Sequence, residues 1–133
     1  MNSMFLRCII IITSLISCQN KDKANLEIDG FSSELWINDS IACTGYRQSI
    51  SEAIVADKHQ ILGKDSIFLL TKFGTPNIRG QRSLGGFEYV YYLECNRSVD
   101  IDSEVVGSPR VFSILFFRLE PRGLVKDLGF RLY

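Results

Sequence analysis

Histidine and tryptophan occur once each in 133 residues, methionine twice and proline three times. A single imidazole excludes a multi-histidine metal centre and leaves little material for histidine-based acid–base catalysis. Net charge is missing as well. With 15 Lys and Arg against 15 Asp and Glu, the chain carries no electrostatic footprint for nucleic acid. No apolar run reaches the ~20 residues that a stable spanning helix needs. What is present is ordinary globular material, 46% hydrophobic and 11% aromatic. That is too apolar for a disordered chain and too short for two independent cores.

The first clear signal is an address. Met1 to Arg7 is short and ends on a positive charge, and Cys8 to Ile16 is uncharged and mostly apolar. Such a segment enters the export machinery as a helix with its basic end on the cytoplasmic side. Leu15-Ile16-Ser17-Cys18 closes it. This tetrapeptide resembles the lipobox of bacterial lipoproteins, in which the cysteine takes up diacylglycerol and a peptidase cuts before it. The resemblance implies a signal peptide over residues 1–17 and membrane lipid held through an acylated Cys18. Two or three acyl chains together anchor stably, at ~0.8 kcal/mol per buried methylene. Residues 18–30 then form the lipidated cysteine and a polar tether. No polybasic stretch adjoins Cys18, so attraction to anionic headgroups adds little. Residue 19 is Gln and not Asp; the inner-membrane retention cue of some lipoproteins is missing, which favours the outer membrane and a periplasm-facing domain.

Residues 31–133 read as one α+β domain. Phe31, Leu35 and Trp36 suit a short helical turn that packs aromatics on the body. A first helix opens at Thr44-Gly45 with Thr44 as N-cap, or at a later capping box Ser49/Glu52, and runs to Leu62-Gly63. A second has Asp65 as N-cap, apolar Ile67, Phe68, Leu70 and Phe73, and a stop at Gly74 and Pro76. From Gly86 the period changes to two. Phe87, Tyr89, Tyr91, Leu93 and Cys95 fall on one strand face, with Glu88, Val90, Tyr92 and Glu94 on the other. A central strand, apolar on both sides, spans Val111–Leu119. Glu120-Pro121-Arg122-Gly123 is a turn, and a last strand covers Leu124–Leu132. The expectation is two antiparallel helices packed on a three-stranded antiparallel β-meander, with Asn96–Arg110 as a long polar loop.

This order of parts resembles small lipoproteins of the BamE/SmpA type, whose layout the β-lactamase inhibitory protein shares. The residues that carry the likeness are Leu62-Gly63-Lys64-Asp65, Phe73-Gly74-Thr75-Pro76, Ile114-Leu115-Phe116-Phe117 and Gly123-Leu124-Val125. It spans Cys43 to about Phe130. It implies the fold, a periplasmic setting and a context of outer-membrane assembly. Pro121-Arg122 before Gly123 departs from the pattern, and so does the long loop between the first two strands. No segment matches the surface by which the assembly-machine member meets its partner.

Chemistry-bearing residues are few. Once Cys8 leaves with the signal and Cys18 is acylated, Cys43 and Cys95 remain in an oxidising compartment. They are either a disulfide or two small buried hydrophobes. His59 lies on a helix's polar side. Asp100, Asp102 and Glu104 have calcium-loop spacing without the glycine or the remaining ligands. Gly85-Gly86 precedes a strand, so it is a turn and not a phosphate cradle. No metal site, cofactor or catalytic constellation is indicated, and the chain reads as a non-enzyme. The strand pattern predicts that Tyr92, Phe112, Ile114 and Phe116 share the sheet face away from the helices and form an incompletely covered, partner-binding stripe. The function expected is a non-enzymatic binding or scaffolding module of the cell envelope with a protein partner. The alternative is an inhibitor or immunity-type protein that blocks an envelope or secreted enzyme.

Overall fold

The computed structural model describes residues 25–95 and 113–132. In chain order these form α1 (Ser33–Asn38), α2 (Tyr46–Ala56), a 3-10 turn (Lys58–Gln60), α3 (Ser66–Phe73), β1 (Ile78–Gln81), β2 (Phe87–Tyr92), β3 (Ser113–Leu119) and β4 (Val125–Leu132). The strands make one antiparallel sheet in the order β1-β2-β3-β4. The α+β class is as expected; the inventory differs, with three α-helices and four strands in place of two and three.

Each difference has a physical cause. The short turn expected around Trp36 is a true helix, because Ser32 caps it: the Leu35 amide donates to Ser32 Oγ at 3.3 Å. The long first helix ends at Ala56, and Lys58–Gln60 tightens into a 3-10 turn. Its N-cap is Gly45, at φ 82°, and not Thr44. α3 matches its sequence signals. Asp65 Oδ1 accepts from the Phe68 amide at 2.8 Å, and the chain turns out at Gly74. The extra strand β1 has the sequence Ile-Arg-Gly-Gln, which carries no alternation to announce it. It exists because the Gly85-Gly86 turn brings β2 back alongside, pairing Ile78 with Val90 and Gln81 with Phe87. Gly86 has φ 85°, and a Cβ there would sit 2.2 Å from the Leu119 carbonyl oxygen. Only glycine fits that crossing. At the β3–β4 turn the Gly123 amide donates to the Glu120 carbonyl at 2.8 Å, as the Pro-Arg-Gly sequence predicts.

The helices lie on one sheet face. Trp36, Ile50, Ile54, Ile61, Leu69 and Phe73 meet Tyr89, Tyr91, Leu93, Leu115, Phe117, Leu119, Val125 and Leu128 in one buried cluster. Aromatic rings organise its centre: Trp36 meets Phe73 edge-on at 5.4 Å, and Phe73 meets Phe117 at 4.9 Å. The odd-numbered residues of β2 therefore face the helices, and Glu88, Val90 and Tyr92 face away, the parity that the strand pattern predicts. No helix among the described residues is long and apolar enough to cross a membrane.

Candidate functional site

Two regions hold polar chemistry inside or against this scaffold. The first is a corner where the α1–α2 connection meets the end of β2. There Cys43 and Cys95 form a disulfide across a Cα–Cα distance of 4.3 Å, 52 residues apart in sequence. Closing a loop of that size contributes on the order of 2–4 kcal/mol.

Beside it, Arg47 is fully buried although it is charged. Its Nε donates to the Trp36 carbonyl at 3.0 Å. One terminal nitrogen donates to the Ser40 carbonyl at 3.3 Å and to Asn77 Oδ1 at 2.9 Å. The guanidinium also faces the rings of Trp36 at 5.0 Å and Tyr91 at 5.6 Å. Asp39, equally buried, accepts the Thr44 amide at 2.8 Å and the Arg47 amide at 3.0 Å. Burial opposes the Asp39 charge. The amides of Arg47 and Thr44, the Thr44 hydroxyl and the Arg47 charge outweigh it, and the carboxyl is held below its usual value. Burial pushes Arg47 down to about 10 against the opposing pull of Asp39 and Tyr91. Burial also raises the Tyr91 phenol well above its ordinary value, with Arg47 pulling the other way. Asn77 completes the corner. Its Oδ1 accepts the Tyr92 amide at 2.9 Å, and its Nδ2 donates to the Ser40 carbonyl at 2.8 Å. This network binds three separate chain segments to one another and offers no exposed reactive group.

The second region is the sheet face away from the helices. Tyr92, Ile114 and Phe116 lie there, side by side through the pairs Tyr92–Ile114 and Val90–Phe116. The fourth residue expected on the stripe, Phe112, lies outside the described residues. So do Cys18, the 96–110 loop and its acidic cluster. The stripe is not the open apolar surface that was expected. Tyr92 is half-buried, Val90 and Ile114 are buried, and Phe116 is only 8% exposed.

Phe116 is covered by charge. Arg118 and Arg131 place their guanidinium carbons 4.5 and 5.4 Å from its ring centre. Both arginines converge on Glu88: Arg118 Nε is 3.2 Å from Oε2, and Arg131 engages both carboxylate oxygens. Arg118 also reaches Asp127 at 3.3 Å. Gly129 stands opposite Phe116 and lets the ring lie flat across β4, since a Cβ there would touch the ring at 3.3 Å. The arginine stems and planar heads thus do for this face what helices do for the other.

His59 is exposed on the 3-10 turn. Among the described residues no group of three or more metal-ligating side chains converges. The sequence reading missed Asp39, Arg47 and Asn77. A signal for Arg47 existed: Arg47, Ile50, Ser51 and Ile54 have i, i+3, i+4, i+7 spacing, and these four are the buried face of α2. Against known proteins the chain stands apart: no family, curated protein or solved structure matches it.

Proposed function

We propose that this chain is a lipid-anchored, periplasm-facing lipoprotein of BamE/SmpA-like layout, acting as a non-enzymatic binding or scaffolding module of the cell envelope, at the outer membrane. The observation that carries the reading is the Leu15-Ile16-Ser17-Cys18 sequence at the end of the apolar run. The Cys43–Cys95 disulfide supports it, because such bonds persist in oxidising compartments. The buried network of Asp39, Arg47 and Asn77 ties chain segments together, which suits a rigid module that binds. Its contact surface with a protein partner is the sheet face away from the helices, where Tyr92 stands beside Ile114 and the arginine roof covers Phe116; Phe112, expected on the same stripe, lies outside the described residues.

Cys18→Ala tests the anchor. Metabolic labelling with a fatty-acid probe should mark the wild-type chain and leave the variant unlabelled, with the variant unprocessed or in the soluble fraction. Label retained on the variant would sink the reading.

A further inference from the structure

Among the described residues β4 is the long edge strand of the sheet, with β3 as its one strand neighbour. Edge strands present unpaired backbone groups and are normally blunted. Here the blunting is confined to the start of the strand. Val125 exchanges backbone hydrogen bonds of 2.8 Å with Gly63 and Lys64. The register shift at Arg118/Leu119 leaves Lys126 as the extra residue opposite it. From Asp127 onward the strand holds no proline and no bulge. It instead exposes apolar side chains on the helix-facing side: Phe130 is 42% exposed and Leu132 69%. Together with Gln48, Ser51 and Glu52 of α2, and with Leu93 and Ser113, they line a cleft of about 340 Å³ between α2 and the sheet.

The sequence of this edge is complementary to itself. In an antiparallel pair centred on Gly129, residue 127 of one strand stands opposite residue 131 of the other, and 128 opposite 130. Asp127 therefore meets Arg131 of a second copy, and Arg131 meets its Asp127. Both pairs lie on the face that carries Phe116. On the other face Leu128 meets Phe130 of the second copy, again twice. Directly opposed residues in antiparallel strands have Cβ atoms about 5 Å apart, within reach of both kinds of pair. Asp127 and Arg131 are open enough to serve, with side chains 46% and 36% exposed. The Glu88–Arg118–Asp127 chain of ion pairs would then continue across the seam.

The geometry points to a two-fold dimer in which the β4 strands of two copies pair antiparallel about Gly129, joining two four-stranded sheets into one of eight strands. Such an interface is isologous and closes on itself, so it yields a dimer and not a fibre. It uses the one long edge that the fold leaves uncovered by its own described strands. It does not depend on the lipid anchor.

Sedimentation of the full-length protein in density-matched detergent tests it. The expected mass is two chains. Phe130→Lys combined with Leu132→Lys places charge on the apolar side of the edge and should give single chains. Both sites are exposed, so an unchanged far-UV circular dichroism spectrum and a cooperative melt, lowered only by the stabilisation that pairing gives the wild type, will confirm that the variant folds. Asp127→Lys alone and Arg131→Glu alone each oppose like charges twice across the seam and should weaken the dimer about tenfold. Mixed in equal amounts, the two variants restore both opposite-charge pairs. The introduced lysine of one chain faces the introduced glutamate of the other, and the retained Arg131 faces the retained Asp127. The mixture should therefore dimerise more tightly than either parent. A single-chain mass for the wild type would overturn the proposal. So would a dimer that survives the double lysine variant, or a mixture no tighter than its parents.

Discussion

Neighbouring residues of β3 show two ways of burying the same kind of side chain. Leu115 and Phe117 point to the helices and join an apolar cluster of leucine, isoleucine and aromatic rings. Phe116, between them, points the other way and is almost as well covered, but by Arg118 and Arg131 held over it by Glu88. The first cover is dry and close-packed, so its contribution grows with every methylene removed from water. The second is built from groups that keep one side in water. An arginine roof can shield a ring while leaving a charged, hydrogen-bonding surface outside. The comparison shows that low exposure does not by itself define a core; what covers the ring decides its energetic weight.

The largest effect should come from substitution on the helix side. Leu115→Ser removes a buried side chain and places a hydroxyl among apolar neighbours, at a cost of about 4 kcal/mol. Phe116→Ser should cost about 2 kcal/mol, because water and the two guanidinium groups can fill the space left by the ring. Chemical denaturation of both variants checks the ordering. Equal losses would show the outer face to be a second core.

The same comparison explains what the sequence made legible. Alternation in β2 separated Tyr89, Tyr91 and Leu93 from Glu88, Val90 and Tyr92, and the structure keeps that division. The caps at Asp65 and Gly74 were readable because each is a local device whose partner lies within four residues. β1 was not, since Arg79-Gly80 has no strand character of its own and is defined by pairing with Tyr89 and Glu88. The roof over Phe116 was hidden for a similar reason. Glu88 and Arg131 are 43 residues apart, and nothing local ties them. Arg47 was legible in principle from its place in the apolar stripe of α2, but polarity argued against burial.

The buried charge beside the disulfide corner is covered in a third way. Unlike the outer arginines, Arg47 has no water to fall back on. Arg47→Met should cost about 3 kcal/mol, because the Trp36 and Ser40 carbonyls and Asn77 Oδ1 each lose a charged donor inside the protein, Ser40 and Asn77 keeping only the bonds from Asn77 Nδ2 and the Tyr92 amide. Asp39 adds a pH signature. Its folded-state value lies below the ordinary 3.8, so as acid is added the unfolded chain takes up the proton first. The stabilisation is complete above the ordinary aspartate range and is lost as pH falls through the lower folded value. Asp39→Asn should remove this dependence: thermal melts should show the wild-type advantage at neutral pH shrinking in acid. A gap that stays constant below the ordinary aspartate value would contradict the assignment.

The smallest effect belongs to the roof itself, and salt distinguishes it from everything on the helix side. Glu88→Gln keeps the shape of the side chain but removes the charge that gathers Arg118 and Arg131. Both arginines are about one-third exposed, so each ion pair is partly screened and contributes at the level of surface pairs. The variant should lose about 1 kcal/mol, since two pairs share one carboxylate that is itself mostly covered. Added salt weakens exposed ion pairs far more than apolar contacts. The difference between wild type and Glu88→Gln should therefore narrow as salt is raised, while the cost of Leu115→Ser stays the same. Denaturation in urea, which is uncharged and leaves ionic strength free to vary, separates the two. If the Glu88→Gln cost is indifferent to salt, the arginines are held over Phe116 by packing on the ring and not by Glu88.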